Sequence, residues 1–229
     1  MRKTILLGLL SAMSMLALTH TAQAQEALYG PQPPKGSAYV RIFNGLGQAV
    51  EIKPDFRSAL KLGSAGADRV SSYDVVEAVA SKKLTLSLTI GGKPVSGSVQ
   101  ADPDGFLTII IEPDAAAGAK IVGVTDLASF NQNRTRLSFY NAIPGCDGGK
   151  LTLVPGGQAV LSDVAAGTSK ARAVNPVTTQ IAAGCAADAA DPVDLKGLEA
   201  GGMVSVYLLA NGSKPSSFVA ADVVTPYHH

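Results

Sequence analysis

Histidine is nearly missing from this chain of 229 residues: His20 lies in an N-terminal apolar leader, and His228 and His229 are the last two residues. Without an internal imidazole there is no Ser-His-Asp or Cys-His nucleophile system, no His-ligated zinc, and no ordinary general base poised near neutral pH. The terminal pair reads as an expression tag or the native end, and a frayed terminus is a poor place to preorganise chemistry. Tryptophan is absent, and the rings amount to six Phe and six Tyr. Sugar platforms normally present exposed aromatics, and so few rings leave little to spare once cores are filled.

An excess of charge of either sign is missing as well. Setting the leader aside leaves 17 basic against 18 acidic residues, a net charge of −1, which argues against a nucleic-acid partner. Long apolar runs are confined to the leader, where Arg2 and Lys3 precede an uncharged stretch over 5–18 and then Ala22-Gln23-Ala24. That order is the signature of a secretory signal cut after a small-x-small triplet. The expectation is a signal peptide over 1–24, a mature start at Gln25, and a soluble exported protein. The leader run falls short of the roughly 20 apolar residues that span a bilayer, and no later stretch approaches them. No cysteine stands at the new N-terminus, so no lipid anchor is indicated.

The chain has two cysteines, Cys146 and Cys185. An even pair in an oxidising compartment reads most simply as one disulfide. Such a bridge closes a loop of about 40 residues, for which the chain-entropy model gives roughly 3 to 4 kcal/mol less any strain. A reactive or metal-binding pair lacks the close spacing and neighbouring His of such sites.

What the chain has in quantity is Ala, Gly, Val, Leu, Ser and Thr alongside 13 Pro, a composition suited to short strands and turns. It also repeats. Val40-Arg41-Ile42-Phe43-Asn44 answers Leu137-Ser138-Phe139-Tyr140-Asn141 at an offset of 97, and the stretch 105–111 answers 202–208 at the same offset. Aligning 121–124 with 218–221 extends the match, so two copies of one unit of about 90 residues are expected. Within copy one, 84–90 alternates Leu-Thr-Leu-Ser-Leu-Thr-Ile, a half-buried strand. Gly91-Gly92 turns it into 95–99, and Asp102-Pro103-Asp104-Gly105 turns the chain again into 106–111, predicting a three-stranded meander. Copy two offers strands over 150–154, 177–183 and 203–210, with turns at Pro155-Gly156-Gly157 and Asn211-Gly212.

About seven short strands per unit predict an all-β protein of two tandem immunoglobulin-like β-sandwich lobes. The first lobe covers 37–126, a linker 127–135, and the second lobe 136–226, behind an extended N-terminal segment over 25–36. A single larger barrel is the alternative. No carboxylate pair stands out for catalysis. Asp102 and Asp104 sit in a Pro-Gly turn where Asp favours capping its own backbone. Asp188, Asp191 and Asp194 offer oxygens for calcium but lack the glycine and terminal Glu of an EF-hand loop, so no metal and no cofactor is assigned. Asn133-Arg134-Thr135 and Asn211-Gly212-Ser213 match glycosylation sequons, a pattern short enough to arise by chance.

The most specific stretch is Leu28-Tyr29-Gly30-Pro31, followed by Pro34-Lys35-Gly36-Ser37-Ala38-Tyr39-Val40-Arg41 and Asn44. It closely resembles the mature N-terminus of the alginate biosynthesis protein AlgF family, periplasmic accessories of exopolysaccharide O-acetylation, with similar proteins in cellulose-acetylating systems. The resemblance implies a periplasmic, non-enzymatic adaptor working beside a membrane-bound O-acyltransferase and periplasmic O-acetyltransferases, with the polysaccharide itself as a further partner. The second lobe departs from the family in its Ala/Gly-rich sequence and its cysteine pair. Read from the residues alone, Pro31, Pro33 and Pro34 hold the segment extended, and Leu28 and Tyr29 supply an anchor ahead of them. Leu28, Tyr29, Gly30, Pro31, Pro34 and Lys35 are therefore the candidate partner-binding residues. The competing reading folds Leu28 and Tyr29 over the edge of the first lobe. A carbohydrate-binding module is the alternative function, and an acetyl-transferring or polymer-cleaving enzyme the third.

Overall fold

The computed structural model describes residues 33–126, 131–212 and 214–227. They are nearly all strand, with helix limited to short 3-10 turns at Gly66–Arg69 and Val79–Ser81. The first half carries β1 (Ala38–Asn44), β2 (Val50–Pro54), β3 (Leu60–Leu62), β4 (Asp74–Val76), β5 (Leu84–Ile90), β6 (Lys93–Val99), β7 (Phe106–Asp114) and β8 (Gly118–Asp126). These form two four-stranded sheets, ordered β4-β1-β7-β8 and β3-β2-β5-β6. The second half carries β9 (Thr135–Ala142), β10 (Gly149–Val154), β11 (Ala159–Val164), β12 (Thr168–Val174), β13 (Thr179–Cys185), β14 (Asp188–Ala189), β15 (Val193–Leu195), β16 (Met203–Asn211) and β17 (Lys214–Ala221). They repeat the plan as β12-β9-β16-β17 and β11-β10-β13-β14, with β15 also paired to β13.

Each half has one sheet with a parallel central pair, β1 with β7 and β9 with β16. The side-chain alternation of these strands divides their burial between two neighbours. Val40, Ile42, Leu107 and Ile109 pack inward with Ile52, Leu84 and Leu86 of the opposing sheet. Leu137, Phe139, Val206 and Leu208 do the same with Leu151, Ile181 and Leu195. The outward faces meet each other: Phe43, Ile110 and Val124 pack against Tyr140, Tyr207, Leu209 and Ala220 in a third core. The sheets thus stack four deep, with the two parallel-paired sheets in the middle. This explains why β7 and β16 read as nearly unbroken apolar runs, since strands covered on both faces have no solvent side to mark. The outer strand β5 keeps a clean alternation.

Two sequence expectations need correction. The stretch 84–111 is not one meander. β5 and β6 form the hairpin, with Gly91 and Gly92 at positive φ, but β7 crosses to the other sheet and pairs with β1 and β8. Burial on both faces sent β7 there, as its unbroken apolar run demands. The last strand of the repeat is also displaced by one residue. Ile110 pairs with Val122 and Tyr207 with Phe218, an offset of 96 on the second member, because the β7–β8 turn is one residue longer. A one-residue slip exchanges the faces of a strand, and only the corrected register brings Val122 and Phe218 to the third core. The strand expected from residue 177 begins at Thr179.

One glycine relationship closes the first half. A Cβ on Gly97 of β6 would stand 2.9 Å from the Ile121 Cβ of β8, so the edges of the two sheets approach as closely as they do only without a side chain there.

Candidate functional site

The repeat has a structural signature in two asparagines. Asn44 donates from Nδ2 to the Gln48 and Gly63 carbonyls, at 2.8 and 2.7 Å, and accepts from the Leu46 N–H. Asn141 donates to the Cys146 and Val164 carbonyls, at 2.7 and 2.8 Å, and accepts from the Ile143 N–H. Both side chains are fully buried. Asn44 is the last residue of β1 and Asn141 the last but one of β9, and each satisfies one carbonyl of the loop that follows and one at the end of a later strand, Gly63 just past β3 and Val164 of β11. Cys146 lies in that loop in the second half and is joined to Cys185, the last residue of β13. The disulfide expected from the sequence is present and pins the loop to the outer sheet.

A polar cluster lies beside the third core. Arg41 of β1 donates from Nε to Thr108 Oγ1 at 2.9 Å and from Nη2 to Tyr140 Oη and Ser205 Oγ, at 2.9 and 3.0 Å. Its Nη1 meets Asp222 Oδ1 at 2.6 Å. Arg136 Nη2 stands 3.4 Å from the other oxygen of Asp222. Asp126 accepts from Thr108 Oγ1 at 2.7 Å, from Tyr73 Oη at 2.8 Å, and from Tyr140 Oη. The Arg41 guanidinium lies 4.3 Å over the Tyr73 ring. Two arginines thus face two carboxylates, and all of these groups are buried.

The repeat is visible here too. Thr108 donates to Asp126 at 2.7 Å, and Ser205, its equivalent, donates to Asp222 at 2.7 Å. The β-strands obey the same relation: β8 lies beside β12, as β17 lies beside the Gly66–Arg69 turn leading to β4. The halves therefore meet as the two subunits of a twofold dimer would, with like surfaces exchanged. Arg41 breaks the symmetry, since its counterpart is Ser138.

The electrostatics follow from burial. Desolvation disfavours the charged form of Arg41, but Tyr140, Tyr207 and Asp222 outweigh it and hold the guanidinium well above its ordinary value. Burial pushes the Asp126 carboxyl up, against the opposing pull of Arg41 and the Tyr140, Thr108 and Tyr73 hydroxyls. Burial also raises the Tyr73, Tyr140 and Tyr207 phenols, so they stay protonated donors. The cluster is closed to any substrate. Its chemistry is cohesion between halves: charge-assisted hydrogen bonds in a low-dielectric setting, specific in geometry where apolar packing alone would not be.

The candidate residues of the N-terminal segment divide. Leu28, Tyr29, Gly30 and Pro31 lie outside the described residues. Pro34 and Lys35 stand at the mouth of the first half, where the Pro34 carbonyl accepts from the Ser37 N–H. The next residue, Gly36, donates its N–H to Asp104 Oδ1 at 3.1 Å. The Asp102-Pro103-Asp104-Gly105 turn is structural, but not by capping its own backbone. Its carboxylates reach to neighbours, Asp104 to Gly36 and Asp102 to Thr125. Asp194 accepts from Gln180 and Lys196, and among the described residues no group of three or more His, Cys, Asp or Glu is placed to hold a metal.

Sequence reasoning missed the buried cluster. Its signal was a polar residue at one position of an apolar strand: Arg41 between Val40 and Ile42, Thr108 between Leu107 and Ile109, Ser205 between Val204 and Val206. All three fall on the face turned to the other half.

The class these features define is an all-β protein of two repeated units welded through a buried ionic and aromatic interface. Among proteins of known role, the chain is similar to the alginate biosynthesis protein AlgF of Pseudomonas aeruginosa, 27% identical over 209 residues that cover 89% of this chain and 87% of that protein. No family profile matches the chain.

Proposed function

We propose that this protein is a non-catalytic periplasmic adaptor required for the O-acetylation of a secreted exopolysaccharide, alginate or a similar polymer such as cellulose. The observation that carries the reading is the end-to-end similarity to a protein named for alginate biosynthesis. The buried cluster agrees with it, because the ionisable groups gathered in the fold hold the two halves together and none is offered to a substrate. Each pair of sheets is read as one immunoglobulin-like sandwich lobe. The chemistry belongs to the partners, periplasmic O-acetyltransferases and a membrane-bound O-acyltransferase complex.

The N-terminal segment is read as the docking element. Its prolines pre-extend the chain, which lowers the ordering cost on binding, and Leu28 and Tyr29 anchor it in a partner's groove. The described stub supports this: from Pro34 on the chain is tied to the fold by Ser37, Asp104 and Val79. Removal of residues 25–34 from the exported protein is expected to leave a cooperative melt and abolish polymer acetylation, measured as acetyl released by mild base. Normal acetylation in that strain would sink the docking role, and normal acetylation after deletion of the whole gene would sink the adaptor reading.

A further inference from the structure

Equivalent edge strands of the two inner sheets are left in different states. In the first half that strand is β4, three residues long, and Tyr73 just before it is paired from outside. The Tyr73 N–H donates to the Val223 carbonyl at 2.8 Å, and its carbonyl accepts from the Thr225 N–H at 2.9 Å. The segment after β17 thus covers that edge. In the second half the strand is β12, seven residues in unbroken register with β9. Among the described residues no strand pairs with its other side, and β8 lies in the next sheet of the stack.

Strand alternation says which groups that open side presents. Arg136 of β9 donates its N–H to Gly202, on the β16 side, so Leu137 and Phe139 turn their backbone groups to β12. Arg172 and Lys170 stand opposite those two and direct their own backbone to β9. The N–H and C=O groups of Ser169, Ala171 and Ala173 therefore point outward. A long, regular edge without proline is a template for another strand. An antiparallel second β12 centred on Ala171 would satisfy all of these groups, with Ala171 opposite Ala171 and Ser169 opposite Ala173.

The obstacle is Lys170 and Arg172. Leu137 and Phe139 belong to the second core, so the cations opposite them lie on the core-side face of β12, at its rim. Both are exposed, and β11 holds both across the side of the sandwich: Lys170 Nζ donates to the Ser162 carbonyl and Arg172 Nη1 to the Val160 carbonyl, each at 2.9 Å. Neither forms an ion pair among the described residues. In the first half, Asp74 stands opposite Val40 as Arg172 stands opposite Leu137. There the edge is covered, and the residue is an acid paired with Arg57.

We infer that β12 is a latent pairing edge, kept closed to a second copy of this chain by Lys170 and Arg172. In the self-paired arrangement Lys170 of one copy falls directly opposite Arg172 of the other, and the clash occurs twice. These are the positions between hydrogen-bonded pairs, where side chains come closest, about 4.5 Å between Cα atoms. Like charges directly opposite destabilise a ladder, and charges turned toward the core side of an edge strand are a known way to blunt it. The carbonyls of Val160 and Ser162 keep both cations over the edge instead of letting them swing into solvent.

The test is sedimentation velocity of the full exported protein over a range of concentrations, with charge reversal at each position. The parent is expected to stay a monomer. Lys170→Glu places a carboxylate opposite Arg172 of the second copy, and Arg172→Glu does the same opposite Lys170. Each single variant is expected to show an about twofold rise in weight-average mass as concentration increases. Lys170→Glu/Arg172→Glu restores like charges at both places and is expected to return to the monomer. Both side chains are exposed, so all three variants are expected to melt in urea like the parent. Single variants that stay monomeric, a double variant that associates as the singles do, a parent that already associates, or association seen only as a variant unfolds overturns the inference. It goes beyond the adaptor reading and is read from mass alone, so no outcome bears on acetylation.

Discussion

Arg41 and Asp222 meet at 2.6 Å although 181 residues separate them, and their side chains are 1% and 0% exposed. One belongs to the first strand of the first half and the other follows the last strand of the second, so the pair ties the two ends of the fold together. Burying such a pair gives little net stability relative to apolar residues, but removing one partner strands the other's charge, at about 3–5 kcal/mol. Arg41→Ala is therefore expected to lower the free energy of urea unfolding by that amount. Arg41→Lys is expected to recover little, because one ammonium cannot serve Thr108, Asp222, Tyr140 and Ser205 at once. A variant that unfolds like the parent would show that the cluster contributes nothing to cohesion.

Asn44 and Asn141 hold equivalent places and each satisfies two backbone carbonyls. Truncation leaves those buried acceptors unpaired, at about 1–3 kcal/mol per site. Asn44→Ala and Asn141→Ala are expected to lower the melting temperature by similar amounts, and the double variant by their sum, since the sites share no partner. A large effect at one position and none at the other would mean that the repeat is geometric without being energetic.

Parts of this organisation were legible in the sequence, and the reason differs by layer. The outer strand β5 announced itself by alternation, because one of its faces is in water. The Gly91-Gly92 hairpin was legible because two consecutive positive φ values need glycine. The Asn-terminated strands and the offset of 97 gave the repeat. The partner of β7 was not legible: an unbroken apolar run says that both faces are covered, without saying by what. The same ambiguity hid the third core and the ionic cluster, since a lone Arg41 or Thr108 in such a run looks identical whether it faces solvent, a ligand or another sheet.

The disulfide joins residues 39 apart in sequence and closes a loop that holds β10 to β13. The chain-entropy model puts its contribution at roughly 3 to 4 kcal/mol. A Cys146→Ser/Cys185→Ser variant is expected to unfold at lower urea concentration by that free energy, and the parent in reducing agent is expected to match it. The first half has no cysteine, so the loss falls on the second half first. A disulfide variant as stable as the parent would place the constraint in a region already rigid when unfolded.

Asp126 gives the fold a pH dependence opposite to that of most paired carboxylates. Burial raises its native pKa, against the pull of Arg41 and three hydroxyl donors, whereas the unfolded chain titrates near 3.9. A carboxyl with a raised native pKa binds its proton more tightly folded than unfolded. Its contribution is therefore fully present below about pH 3.9 and is lost as the pH rises through the raised native value. Asp114 and Asp194 are shifted downward by their hydrogen bonds and act in the opposite sense, so the single residue must be isolated by difference. Asp126→Asn keeps the size of the side chain and removes its titration. The stability of the parent minus that of the variant, from urea unfolding at a series of pH values, is expected to fall as the pH rises from about 4 and then to level off. A difference that grows with pH would mean that Arg41 and the hydroxyls outweigh burial, and that Asp126 is an ordinary ion-paired carboxylate.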